Sequence, residues 1–253
     1  MTNELRNATL ATDRSALEES VNRPARSQRA QVRNAELLAA ALALIAGFID
    51  AYGMITYGVY VSFMSGNTTQ TGYQTAEGAF GPASLSALAI LFFVVGSFAG
   101  TLLVEFAGRY ARRALYCGVA AALAAITGLT QFGMLSGAFA IAAISVAMGV
   151  MNNALSRVGA QAVSLTFVTG SLSRVGSSLA LALRRAPLRD AQGPWDTHLR
   201  RALLLARLWL GFLVGAFLSG AATPRYGASV LLAPALILAV LAAFDRPDRG
   251  AAR

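Results

Sequence analysis

The chain has 253 residues, 56% of them apolar and only 13% charged, about half the charge of a soluble globular domain. This excludes a mostly disordered chain, which is poor in apolar residues, and argues against a soluble fold, which would have to hide runs such as Leu85–Ala107 that no polar face alternates with. The net charge is +9 and every basic residue is an arginine; cytoplasmic loops of a multi-pass membrane protein account for that better than a nucleic-acid partner does.

In chain order, residues 1–35 are polar and mixed in charge and are expected to form a disordered cytoplasmic tail. They lack the apolar core and small-residue cleavage site of a removable signal peptide. Arg23, Arg26, Arg29 and Arg33 stand before the first apolar run, the flank of an uncleaved anchor with its N-terminus inside. A transmembrane domain over 36–245 and a second tail at 246–253 follow. A bilayer core needs about 20 apolar residues in helix. Six runs qualify, near 37–57, 84–107, 114–135, 138–156, 202–222 and 228–244. Segments 59–78 and 162–183 are too polar or too broken by glycine to be ordinary spans.

The arginines test the topology. With the N-terminus inside, the two tails and loops 108–113 and 184–201 hold 17 of them, while the outer loops hold only Arg225. Arg157, Arg174 and Arg207 fall in or at the edge of the membrane. The bias holds only if each odd segment enters and leaves on one side. The expected fold is therefore all-α, with six spans and two short re-entrant segments, in the cytoplasmic membrane of a bacterium with both termini inside.

The two halves, about 36–135 and 138–245, resemble each other. Phe63-Met64-Ser65-Gly66 with Gly72 matches Phe167-Val168-Thr169-Gly170 with Gly176. Val95-Gly96-Ser97-Phe98 matches Val214-Gly215-Ala216-Phe217, Arg109-Tyr110 matches Arg225-Tyr226, and Gly47-Phe48-Ile49-Asp50 matches Gly149-Val150-Met151-Asn152. The order is kept, and a unit of three spans is odd, so the second unit is expected to be inverted. Inverted repeats with broken helices meeting at mid-membrane are a recurring transporter build.

The stretches Ala46-Gly47-Phe48-Ile49-Asp50-Ala51-Tyr52-Gly53 and Phe63-Met64-Ser65-Gly66-Asn67-Thr68-Thr69-Gln70 resemble the YoaK family, as do Ala147–Ala154 and Thr166–Leu172. These are bacterial multi-pass membrane proteins gathered under a domain of unknown function. The resemblance covers roughly 36–245; in that family Gln and Asn are commoner at the places of Asn152 and Asn153. It implies a plasma-membrane protein and no particular activity.

Asp50, about two-thirds of the way through the first span, is the sharpest candidate. A charge at depth costs roughly 2.5–3.5 kcal/mol on the insertion scale and faces a cavity or a partner. It fits a proton or cation site, a salt bridge with Arg174, or a carboxylate at the helix end. Asn152 and Asn153 hold the matching place and fit either a polar path or interhelical hydrogen bonding. Asn67, Thr68 and Ser171 follow glycines at the starts of the two odd segments, where polar residues cap helices. If both segments dip inward, their helix N-termini gather free N–H groups at mid-depth; the alternative is two interfacial loops. Asp50, Asn67, Thr68, Asn152, Ser171 and Arg174 are thus the expected solute-binding set. Gly96/Gly100 and Gly211/Gly215 form GxxxG patterns that serve packing within the chain or a homodimer. Glu105 and Arg109 are spaced for an i,i+4 pair, and Cys117 reads as a small packing residue.

No P-loop, GxGxxG or HExxH is present, and one His and one Cys do not supply a nucleophile arrangement. No enzyme and no cofactor are expected. The leading expectation is a permease or channel-like protein for a small polar or anionic solute. The alternative is a scaffold or sensor whose loop 184–201 binds a partner or anionic lipid.

Overall fold

The computed structural model describes residues 31–154, 157–158, 161–162, 168–191 and 193–245. The described residues are helical almost throughout: α1 (Gln31–Tyr57), α2 (Met64–Ala76), α3 (Phe80–Ala107), α4 (Ala111–Gln131), α5 (Gly137–Met151), α6 (Val168–Leu183), α7 (His198–Tyr226) and α8 (Leu232–Phe244). Arg157–Val158 and Gln161–Ala162 pair as two short antiparallel strands. Three helical stretches, Gln31–Tyr57, Phe80–Gln131 and His198–Phe244, the last two each passing through a 3-10 turn, are long and apolar enough to cross a membrane, and Gly137–Met151 is a shorter apolar helix.

Glycine and 3-10 turns set the breaks. α3 ends at Gly108, whose φ of +49° is open to glycine at little cost, and one 3-10 turn leads into α4. Gly227, φ +54°, does the same between α7 and α8. α4 closes with Gly133 at φ +66° and Met134 N–H donating to the Leu129 carbonyl at 2.9 Å. Thr197 caps α7, its side-chain oxygen accepting from the Arg200 N–H at 3.2 Å.

Two expected boundaries move. α1 begins at Gln31, inside the expected tail, because Val32 and Ala35 pack on Ala39, Ala43, Leu204, Leu205 and Leu208, and Glu36 is paired with Arg200. α5 stops at Met151, short of the apolar run, and turns at Asn152 and Asn153. Residues 1–30 and 246–253 of the expected tails lie outside the described residues.

The main core gathers α1, α4, α5 and α8, through Leu42, Ile49, Leu123, Ile144, Met148 and Leu238. Two further helices cross onto it by backbone contact. Gly211 and Gly215 of α7 lie on Ala40 and Leu44 of α1, and Gly96 and Gly100 of α3 lie on Val146 and Val150 of α5. One turn forward on one helix is one turn forward on the other, so α1 and α7 run parallel, as do α3 and α5. The opposing glycines match too: Gly47 meets Phe212, three residues before Gly215, and Gly149 meets Phe93, three before Gly96. α4 and α8 are antiparallel, with Arg112 paired to Asp245 at one end (2.8 Å) and Gln131 donating to Ser229 at the other (2.6 Å).

The four GxxxG glycines are thus consumed by packing within the chain, because closely approaching backbones leave no room for a Cβ. Burial repeats in the same register. Gly96 and Gly100 are buried and Val94, Val95 and Phe98 exposed on α3; Gly215 and Ser219 are buried and Leu213, Val214 and Phe217 exposed on α7.

A methyl at Gly47 or Gly149 would fall on the facing carbonyl of Phe212 or Phe93, whereas Gly118 has open space. Gly47→Ala and Gly149→Ala are each expected to lower stability by about 1–3 kcal/mol or more, and Gly118→Ala to be neutral or stabilising by up to about 1 kcal/mol. Thermal unfolding of the detergent-purified protein, followed by size-exclusion chromatography, measures the difference.

Candidate functional site

Between α1 and α2 the chain leaves helix geometry over 58–63. Bare amides in such a break are costly wherever water is excluded. Asp50, itself only 3% exposed, answers them. Its Oδ1 accepts from the backbone N–H of Val61 at 2.9 Å, Ser62 at 2.8 Å and Phe63 at 3.4 Å. These amides lead directly into α2, where no side chain caps the first turn. The carboxyl oxygen therefore does a cap's work from another helix.

Asn67, fully buried, holds the same strap from the other side. Its Oδ1 accepts from Tyr60 N–H at 3.1 Å and its Nδ2 donates to the Tyr60 carbonyl at 2.6 Å. Tyr60 and Phe63 meet edge to face at 5.2 Å, and Gly66 lies beneath Phe63, where a Cβ would collide with the ring. FMSGN is thus a packing unit: Phe63 on Gly66, Asn67 on Tyr60.

α2 returns beside α3, with Ser86 Oγ 3.3 Å from Gln70 Oε1. Its outer face carries Ser65, Thr68, Thr69, Gly72 and Thr75, all exposed. The Thr68, Thr69 and Thr75 hydroxyls donate to carbonyls four residues back. Each oxygen still has accepting capacity, so this face offers acceptors and small side chains.

Of the expected set, Asp50 and Asn67 meet on one strap, and Thr68 is one residue further along α2. Asn152 lies at the end of α5, half-buried, beside Asn153, while Ser171 and Arg174 lie on α6, which packs on α7. Asp50 spends its carboxylate on the strap and not on Arg174, whose side chain is exposed on α6. Thr166 and Phe167, at the matching place in the second half, lie outside the described residues.

Asn153 takes the interhelical hydrogen-bonding alternative, and the loop clasp was not foreseen as a site feature. Asn153 Nδ2 donates to the carbonyls of Ser97 and Gly149, and its Oδ1 accepts from Thr101, fastening α5 to α3 where Gly100 leaves room. In the basic loop, Arg201 bonds Asp196 and both oxygens of Asp190, while Arg200 lies 4.4 Å over the Trp195 ring and pairs with Glu36. The signal lay in two aspartates within a basic stretch. Arg109 turns to Tyr110, donating to its hydroxyl at 2.7 Å, and not to Glu105. Cys117 is exposed, not packed inside. Among the described residues no three of His, Cys, Asp and Glu gather to hold a metal.

Removing the Asp50 acceptor leaves three backbone donors short of a partner, each worth about 1–3 kcal/mol when buried. Asp50→Leu is expected to abolish or strongly reduce folded protein. Asp50→Asn, whose amide oxygen can still accept, should express and purify with a lowered melting temperature. Equal melting of wild type and Asp50→Leu would refute the latch.

Arg201 holds the exposed Asp190 carboxyl below the usual carboxylate range. A depressed value contributes stability in full above the unfolded pKa of about 3.9, and that stability is lost as pH falls through the folded value. The clasp should therefore not respond between about pH 8 and 5 and should loosen below about pH 4. Trp195 fluorescence in a Trp209→Phe background reads this out; a midpoint above about pH 5 would contradict it.

The profile of a family described as "protein of unknown function (DUF1275)" matches residues 38–244. A UPF0700 transmembrane protein of Rhizobium meliloti (strain 1021) is 31% identical over 221 residues, covering 85% of this chain and 89% of that protein. No solved structure matches.

Proposed function

The chain belongs to the DUF1275 family of proteins of unknown function, a membrane family, and from that premise we propose that it is a permease or channel-like carrier of a small polar or anionic solute. The observation that carries this reading is the α2 arrangement: a hydroxyl-rich half-helix whose start is latched to Asp50 in the interior and whose polar face is left open. A protein that only anchors a partner has no need for a polar break inside its membrane domain, and such breaks are tolerated where they are buried in protein or face water. Catalysis has no part in this reading.

The reading includes an inverted repeat of two three-span units. α1 and α7 run one way, α3 and α5 run together, and α4 opposes α8. α3 and α7 are each about 42 Å long or more, enough to span a bilayer, so in this reading the glycine turns after them reverse the chain. Taken together, these directions support α1 opposite to α3 and α5 opposite to α7. α2 and α6 then enter and leave on one side. The matched glycine crossings support the same relation between the halves.

Asp50 and Asn67 set the position of α2, Thr68 presents the path, and Asn152, Ser171 and Arg174 furnish the second half, with Arg174 favouring an anion. The protein resides in the bacterial cytoplasmic membrane with both termini inside, as the arginine bias favours.

Two measurements test this. Reporter fusions should place both termini and residues 110 and 192 in the cytoplasm and residues 80 and 136 outside; a periplasmic signal at 110 or 192 would sink the inverted repeat. Uptake by a deletion strain, profiled across small organic and inorganic ions, should lose one solute class. The wild-type gene should restore it, and Ser65→Leu or Thr68→Leu, which fill the exposed face of α2, should not. An unchanged profile in the deletion strain, or full uptake with both variants, would favour the scaffold.

A further inference from the structure

A trough of about 700 Å3 runs between α4 and α8 on the outer surface, within the range of small-molecule sites. It forms because the two helices spend their large side chains inward, where Leu115, Val119 and Leu123 meet Leu231 and Leu238. Small residues are left outside, among them Ala121 and Ala124 on α4 and Ala239 and Ala243 on α8. One charged residue lines it, Arg113, at the start of α4. Arg113 is exposed and makes no ion pair among the described residues. Its neighbour Arg112 is held by Asp245 at the end of α8, so that carboxylate is already taken.

We propose that this trough is a binding site for one anionic phospholipid, its acyl chain along the alanine floor and its phosphate on Arg113. An apolar trough in hydrocarbon does not stay empty, because unfilled space forfeits dispersion contacts. A flexible chain fills a long, shallow, apolar shape; a guanidinium at one end takes phosphate oxygens by bidentate bonding and favours a headgroup with no cation of its own to cancel the phosphate charge. Membranes supply that negative charge. Charge also decides against a second copy of the chain: a two-fold contact through this face brings Arg113 near the partner's identical guanidinium, with Arg109 and Arg112 close by in sequence. The lipid site stands apart from the α2 latch and does not depend on the transport reading.

The chain carries its own reporter, since its single cysteine, Cys117, is exposed and lines the trough. In detergent solution, dioleoylphosphatidylglycerol is expected to slow alkylation of Cys117 by N-ethylmaleimide by about fivefold or more, and dioleoylphosphatidylcholine at the same concentration to leave it nearly unchanged. Arg113→Gln, a surface change, should remove the protection without altering the rate in lipid-free detergent. Native mass spectrometry should show one retained phosphatidylglycerol on wild type and none on Arg113→Gln. Equal protection by both lipids, or protection that survives Arg113→Gln, overturns the proposal. So does protection by inorganic phosphate alone. A Cys117–Cys117 cross-linked dimer on mild oxidation would give the trough to a second copy and overturns it as well.

Discussion

The bond set of the Asp50 carboxylate is the constraint on which the site depends. A helix satisfies its own backbone, so a break within the apolar body leaves N–H groups without partners. Here one buried oxygen accepts all three amides that lead into α2. The exchange is mutual, because a buried carboxyl without partners is costly too. Asn67 and the Phe63–Gly66 contact then fix the strap on its other side. Without the carboxylate, α2 has no defined start, and its hydroxyl face no defined place beside α3.

The glycine crossings do for the frame what Asp50 does for the strap. α1 lies on α7 and α5 lies on α3 with backbone against backbone, and each crossing draws glycines from both partners. Such contacts have no side chain to adjust, so they set register sharply. Register carries outward: α2 follows α3 and α6 follows α7, so each polar short helix is placed by the crossing of the longer one beside it. The small residues that make these seams are used up in doing so, and the apolar side chains of α3 and α7 are turned outward.

The ion pairs among the described residues lie at helix ends and in loops. Arg112 with Asp245 joins the start of α4 to the end of α8, and Arg200 with Glu36 joins the start of α7 to the first turns of α1. Isolated surface pairs contribute little. These join elements far apart in sequence and are supplemented by the Trp195 stack and the Asp190–Arg201–Asp196 clasp, so the loop before α7 is a built structure and not a loose basic tether.

By itself the sequence determined that the chain is helical and membrane-embedded, because runs of apolar residues with neither a polar face nor charge leave no other solution. Asp50 was legible for the same reason: a carboxylate in such a run must have a partner. The family was legible in the FMSGNTTQ string. The repeat was suggested by glycines in matching places, since a glycine in a helix needs a reason beyond propensity. What Asp50 binds was decided only in the folded chain, where its carboxyl takes three backbone amides and not the visible opposite charge of Arg174. The direction in which the GxxxG faces turn, the outward aspect of Cys117 and the start of α1 at Gln31 were decided there too. The reason is common to all of these. Asp50 finds backbone amides, Gly47 finds the carbonyl of Phe212, and Val32 finds a hydrophobic seam on α7. A backbone group carries no residue identity, and an apolar seam accepts many side chains, so neither marks its partner in the sequence until the helices are laid against one another.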